Sequence, residues 1–448
     1  MSRPRVAVVG GGITGTLASL VLRNRGIQAV LIDQGRDVGG RLRGSYRSKL
    51  YQDSTTRIDS GAQFLRCNDI RLLSVFRMLE ENNLLRKWDG RFGLLGSQGG
   101  GFLPSSVVGQ ATGMRKDDNT KDEEQSLPDT IDSGDFCSFV ANHNPKTPTY
   151  VGIPDNNSLC QQICHLAQID KISNTQVIKA MTQSSGGWLV HCKNGEDGKV
   201  DASLFDALIL ATHDPTIAAQ SVQSIVEAEI DAEAIDESDD DKKAHKFLLN
   251  RLKNLIKDLK DVRQSRKPIF TWSGRFTHKN DPDFDAVSVP GSNLIQFLAR
   301  ESSKPGRQTK EMTGVWTAVS TSQLAQDILR QGRKKNGRTP EEDALEIMSH
   351  EVTKLLFGNG TLSSQSSLPV PESASVVKWG SAFTSKSLGL NEESILLNQW
   401  RLAIAGDFIR SLDAHSTPLE AAALSGLEAG ERIAALFGDT SMEQRPSE

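Results

Sequence analysis

Three glycines, an arginine and two acids carry the chemistry legible in this chain. Gly10, Gly12 and Gly15 form a G-x-G-x-x-G run, and Asp33 follows it. In such a run the first glycine permits a tight turn and the second lets a pyrophosphate approach the backbone. The third lets a helix pack closely on its strand. An acid at this distance can bind ribose hydroxyls. Gly39-Gly40-Arg41 adds a turn open to close approach and a guanidinium able to pair with phosphate. Gly406-Asp407, after an apolar run, can offer a carboxylate to a sugar-like hydroxyl chain. This is dinucleotide chemistry, and the glycine run alone suits NAD and FAD equally.

The elements that must position these groups can be read around them. Arg5 to Val9 is short, apolar and valine-rich, as a buried parallel strand should be. A helix is predicted from about Ile13 to Asn24, ended by Gly26, with its positive N-terminal end toward the phosphates. Ala29 to Ile32 gives the next strand. Gly187 to Asn194 and Lys199 to Thr212 read as strands, and Leu402 to Ala405 as another. A helix from about Pro418 to Leu436 starts with proline early and glutamate in its first turn. Sheet elements from both ends of the chain can therefore complete one nucleotide domain.

The chain has 448 residues and a net charge of −4, with 37% hydrophobic content. That length suits about two domains. The charge argues against a nucleic-acid partner. Five cysteines, few and scattered, fit a reducing compartment better than a disulfide framework. No signal segment and no membrane-spanning run is visible, so no membrane partner is expected and the cytoplasm is the expected location. Protein partners are not readable. Cys160, Cys164 and His165 have no second ligand pair at zinc spacing, and no metal site is expected. Ser158 is read as the N-cap of their helix. Residues 112–135 and 227–267 read as insertions, the second containing an amphipathic helix with Leu248, Leu252, Leu255, Leu259 and Val262 at helical spacing.

These motifs resemble the flavin-dependent amine oxidase superfamily, and within it the renalase-like oxidoreductases. The narrower resemblance rests on Ile58-Asp-Ser-Gly-Ala-Gln-Phe64, Trp88-Asp-Gly-Arg-Phe-Gly93 and Tyr150 to Ser158. Gln296 to Arg307, Lys378-Trp-Gly380 and Leu419 to Gly426 continue it. The resemblance implies an α/β fold. A discontinuous Rossmann-like FAD-binding domain would take residues 1–66, 151–215 and 395–440. An α+β substrate domain with a mixed or antiparallel sheet would take 67–150 and 268–394. It implies FAD held by Gly10, Gly12, Ile13, Thr14, Gly15, Asp33, Gln34, Gly40, Arg41, Ala62, Gln63, Val177, Gly406, Asp407, Glu420 and Ala421. The substrate side would include Gln63 and Trp379, nearest the chemistry, with Trp316, Thr317 and Phe383.

The implied reaction is hydride transfer from a small reduced substrate, such as a reduced nicotinamide nucleotide isomer, to FAD, with reoxidation by dioxygen. Trp316-Thr-Ala departs from relatives that carry a histidine in this block, which leaves the substrate open. A FAD amine oxidase or desaturase, and a flavoprotein-derived binding protein without turnover, are the alternatives. His415 precedes the last helix and reads as a surface histidine.

Overall fold

The computed structural model describes residues 3–45, 58–96, 101–104, 148–183, 186–232, 239–277, 282–332, 337–358, 368–410 and 417–438. The insertion expected at 112–135, and His415, lie outside these residues.

Among the described residues, the first sheet has six strands. In chain order they are β1 (Arg5–Val9), β2 (Gln28–Ile32), β10 (Asp170–Ile172), β14 (Ala207–Leu210), β20 (Ser394–Leu397) and β21 (Leu402–Ala405). Their spatial order is β10-β2-β1-β14-β21-β20, parallel except for β20. Strict alternation puts Val6 and Val8 of β1 into one core layer and Ala7 and Val9 into the other. α1 (Ile13–Asn24), α3 (Asn156–Leu166) and α8 (Pro418–Ala435) cover the first face. The second face is covered by a three-stranded antiparallel sheet and two helices. That sheet contains β11 (Thr175–Thr182), β12 (Trp188–Asn194) and β13 (Val200–Phe205), and the helices are α4 (Thr216–Ala232) and α5 (Asp239–Gln264).

The amphipathic helix expected in 227–267 is α5, and its Leu252, Ile256, Leu259 and Val262 pack into this second layer. The run read as one strand from Lys199 is two. At Asp206 the chain leaves β13 and enters β14, because Asp206 N donates to Arg5 O at 2.8 Å and its carboxylate accepts from Arg5 N at 2.7 Å.

The second sheet is mixed, in the order β19-β15-β18-β17-β16-β7-β8. Its strands are β7 (Phe92–Leu95), β8 (Phe102–Pro104), β15 (Arg266–Arg275), β16 (Ala286–Ser288), β17 (Ile295–Arg300), β18 (Val315–Ser320) and β19 (Ser373–Thr384). β16 and β7 pair in parallel, the rest antiparallel. One face packs on α6 (Ser322–Gln331) and α7 (Pro340–Phe357) through Phe270, Trp272, Leu298 and Trp316. The other face, with Ile269, Phe297, Val319 and Phe383, turns toward Trp88 and Val151. The strands β3 (Gly44–Ser45) and β4 (Ile58–Asp59) pair antiparallel in a short ribbon of their own. No described helix is long and apolar enough to cross a membrane.

α1 and α8 cross closely because glycines face the contact. A methyl group on Gly426 would lie 2.2 Å from Thr14 O, and one on Gly430 2.8 Å from Val21 Cβ. The Thr14 hydroxyl donates to Ala422 O at 2.9 Å across the same crossing.

Candidate functional site

The motif residues converge at the carboxyl edge of the first sheet, where open α/β sheets bind ligands. Gly10 leaves β1 with φ +108°, and a side chain there would strike Ala211 O beyond β14. Gly15 cannot carry a side chain either, since its methyl would sit 1.9 Å from Gly10 O. Gly12 differs: the ground its methyl would occupy is open. Gly12 is the N-cap of α1 and no side chain caps the helix. The first-turn N–H groups, at Ile13 and Thr14 among others, therefore lack a side-chain acceptor beside open ground, where an anion is favoured.

Asp33 closes β2. One carboxylate oxygen accepts from Gly11 N at 2.5 Å, the other from Gly35 N at 2.6 Å. Each oxygen keeps a lone pair for a further donor such as a ribose hydroxyl. Gln34 beside it is exposed. β11 begins against this acid, with Thr175 N donating to Asp33 O at 2.9 Å. Val177 follows in the same strand with its side chain buried in the second core layer.

The Gly39-Gly40-Arg41 turn packs directly on the glycine run. Gly39 N donates to Gly11 O at 2.7 Å, and Gly40, at φ +51°, lies against Gly12 Cα. Arg41 and Asp407 face each other in a two-pronged ion pair, both bonds 2.7 Å, and Arg41 also donates to Ala382 O at 3.0 Å. Burial works against the charge on Asp407, but the Arg41 charge and hydrogen bonds outweigh it and hold the carboxyl below the ordinary range. Gly406 ahead of it has φ +155°, and its N–H donates to Ser425 of α8.

One residue of this edge escapes the sequence reading. His213 follows β14, between the Gly10 turn and Asp407. Burial, then the Arg41 charge, push its imidazole down to about 4. It is a neutral ring at physiological pH. Its signal was its position at the end of a central parallel strand, not its type.

Ala62 and Gln63, expected to hold FAD, lie in a segment, Ser60 to Gln63, that is fixed on every side. Trp379 Nε1 donates to Ser60 O at 2.7 Å, and Asn156 Nδ2 to Ala62 O at 2.8 Å. The Gln63 amide donates to Asp59 O at 2.5 Å and Gly61 O at 3.0 Å. Gly61 N and Ala62 N donate to Arg43 O and Arg41 O. Below this segment lies a second group that the sequence reading missed. Asp59, Glu301, Lys304 and Arg307 are almost fully buried and form a closed cluster of two acids and two bases. Burial opposes the charge on Asp59, yet Arg307 and Lys304 keep its pKa below the usual carboxylate value.

Several expected site residues need correction. Trp316 does not line the site. It is 0% exposed and points with Ala318 into the layer beneath α6 and α7, because alternation on β18 sends Val315, Thr317 and Val319 the other way. Thr317 is buried too, its hydroxyl donating to Glu301 Oε1 at 2.8 Å. The Gln63 side chain is 2% exposed and fully bonded, so it is not an open catalytic group. The Glu420 carboxylate turns from the site to accept from Asn68 N, Asn68 Nδ2 and Asp69 N. Only the main chain of Glu420 and Ala421 stays at the start of α8, where Thr417 is the N-cap. Trp379 is half-buried, and Phe383 is buried beside it in the layer facing Phe64. At α3 the N-cap is Asp155, which accepts from Ser158 N, and not Ser158. Burial raises the Cys160 and Cys164 thiols to about 12 and 11, as expected of packing groups.

Residues 8–81 match the family model of the NAD(P)-binding Rossmann-like domain. The fold extends over nearly the whole chain in solved structures. A protein of Exiguobacterium sp. 255-15 named "putative protoporphyrinogen oxidase" aligns with TM-score 0.61 and 13% identity, over 97% of this chain and 99% of that one. An oxidoreductase from Methanosarcina mazei aligns with TM-score 0.58 and 12% identity, over 95% and 100%. A geranylgeranyl bacteriochlorophyll reductase-like protein from Thermoplasma acidophilum aligns with TM-score 0.50 and 12% identity, over 98% and 79%. At these identities the likeness is one of fold. No curated protein sequence matches the chain.

Proposed function

We propose that this chain is a FAD-dependent oxidoreductase that takes a hydride from a small reduced substrate, in the manner of the renalase-like oxidoreductases. The observation that carries the reading is the open ground at Gly12 beside an uncapped helix N-terminus, with Asp33 bonded directly to the same turn through Gly11 N. FAD, when bound, would supply the redox chemistry: acceptance of a hydride and its delivery to dioxygen as hydrogen peroxide.

The chain's own residues do the placing. The first turn of α1 and Gly12 receive the pyrophosphate, and Asp33 receives the ribose hydroxyls. Arg41 and Asp407, locked together, hold the glycine turns of β2 and β21 in register. Ser60 to Gln63 present a rigid edge to the ring, and Trp379 walls it. His213 stays neutral beside the ion pair and can donate or accept one hydrogen bond without adding charge. The positive end of α8 favours negative charge that develops near it.

The test begins with colour. Purified protein should be yellow and release flavin on denaturation. Mixed anaerobically, it should bleach with reduced nicotinamide isomers and, on admission of air, form hydrogen peroxide. Colourless protein that does not take up FAD removes the reading. Bleaching by amines alone transfers it to the amine oxidase class.

A further inference from the structure

The cluster of Asp59, Glu301, Lys304 and Arg307 has a feature that simple stabilisation does not require. Buried ion clusters add little net stability over apolar packing of the same volume, so their geometry is the more telling property. Lys304 is 0% exposed, and its three donors reach Glu301 Oε1 at 2.8 Å, Gln63 Oε1 at 3.2 Å and Asp59 Oδ2 at 3.3 Å. The ammonium lies 5.6 Å from the centre of the Trp88 ring. Arg307 closes the cluster by donating to both Asp59 and Glu301.

The link to Gln63 decides which way that amide points. An ammonium has donors only, so it accepts no bond and must meet the amide oxygen. The Gln63 NH2 is thereby forced toward the carbonyls of Asp59 and Gly61. Were the amide reversed, its oxygen would face two carbonyl oxygens and its nitrogen a cation. We propose that Lys304 is a positioning residue for cofactor: through Gln63 it sets the backbone from Asp59 to Gln63, which contains the edge assigned to the flavin ring. The assignment rests on the FAD reading above. Lys304 is itself out of reach of any ligand, and its charge is met by Glu301 and Asp59, so it fixes the edge without placing an unpaired cation beside it. Its second consequence is mechanical: Asp59 belongs to β4 and the other three follow β17, so the edge is referenced to the second sheet as well as the first.

The experiment compares the full-length protein with two variants. Glu301→Gln/Lys304→Met removes one charge of each sign and leaves the Asp59–Arg307 pair. Gln63→Met leaves the cluster intact and cuts only the link. Binding of FAD and of ADP is measured by titration calorimetry, with the absorption envelope of bound flavin alongside. ADP reports the glycine run and Asp33, which neither variant touches. Both variants should bind ADP as wild type does, lose about tenfold or more in FAD affinity, and shift the flavin envelope toward that of free FAD. Equal losses for ADP and FAD would mean a general structural role and overturn the assignment. Unchanged FAD affinity and envelope in either variant would do so too. A wild-type chain that binds FAD no better than ADP fails at an earlier point: it overturns the cofactor reading, and this inference with it.

Discussion

Two methyl groups placed three residues apart should have opposite effects. In Gly15→Ala the new carbon lies 1.9 Å from Gly10 O, where ordinary contact begins near 3.4 Å. α1 must retreat by about 1.5 Å from β1, and overpacking of this kind costs about 1–3 kcal/mol. The obstacle is backbone, which cannot swing aside, so the upper end applies. Gly12→Ala meets no protein atom within 4 Å and keeps an allowed φ of −75°. Its loss as an N-cap and its gain from a stiffer unfolded chain nearly cancel, leaving about 0.5 kcal/mol or less. Its methyl fills the ground assigned to the pyrophosphate, and a loss of about 1.4 kcal/mol, tenfold in affinity, is the least expected. Urea unfolding and ADP titration separate the two quantities. Gly15→Ala should lose stability, and Gly12→Ala should keep stability and lose ADP. If Gly12→Ala binds ADP and FAD like wild type, the phosphates do not sit there.

Asp407→Asn removes one partner of a largely buried ion pair, at a cost of about 3 kcal/mol near neutral pH. Because the native Asp407 pKa is lowered, that stability is complete above about pH 4 and lost as pH falls through the native value. Wild type and variant should therefore converge in urea midpoints toward strong acid. His213 has the mirror behaviour among bases. Its native pKa of about 4 lies below the unfolded value, so the unfolded state binds the extra proton and stability falls as pH drops from about 6.5 toward 4. His213→Gln should flatten that stretch of the pH–stability curve, and an unchanged slope there would show the ring to be free in solvent. The two tryptophans should separate cleanly. Trp316→Ala should cost about 3–5 kcal/mol with FAD affinity unchanged in the protein that remains folded. Trp379→Phe leaves the Ser60 carbonyl without its donor, costs about 1–3 kcal/mol, and should alter the bound-flavin spectrum.

The first sheet was legible because its signals are local. α1 runs from Ile13 to Asn24 as read, since a glycine turn starts it and Gly26 at φ +75° ends it. Asp33, Arg41 and Asp407 were likewise singled out by the turns that carry them, and the structure sets all three at the carboxyl edge of that sheet. What local pattern could not supply was orientation and long-range pairing. Trp316 and Thr317 are neighbours in sequence on opposite faces of β18, and only the sheet's two covers decide which face is which. Arg41 was read toward phosphate, and nothing in its turn announces the grip on Asp407, 366 residues on. The break at Asp206 exists because Arg5 is there to bond it. Asp59 and Lys304 stood in separate sequence blocks, and nothing in either block says that they meet. At α3, Asp155 and Ser158 are both good caps, and the choice depended on backbone direction.

The glycine-faced crossing of α1 and α8 sets the order of events in the making of this protein. β1 and α1 leave the ribosome well before α8, yet α8 forms one wall of their layer. The bond from Thr14 to Ala422 spans 408 residues. Contacts of such separation form late, after the intervening chain has found its own partners. The apolar face of α1 thus stays partly uncovered until α8 has been made, and the proposed nucleotide seat matures only then. A nascent chain stopped short of α8 has the whole glycine run yet no finished seat, so cofactor uptake would mark the chains that have passed α8.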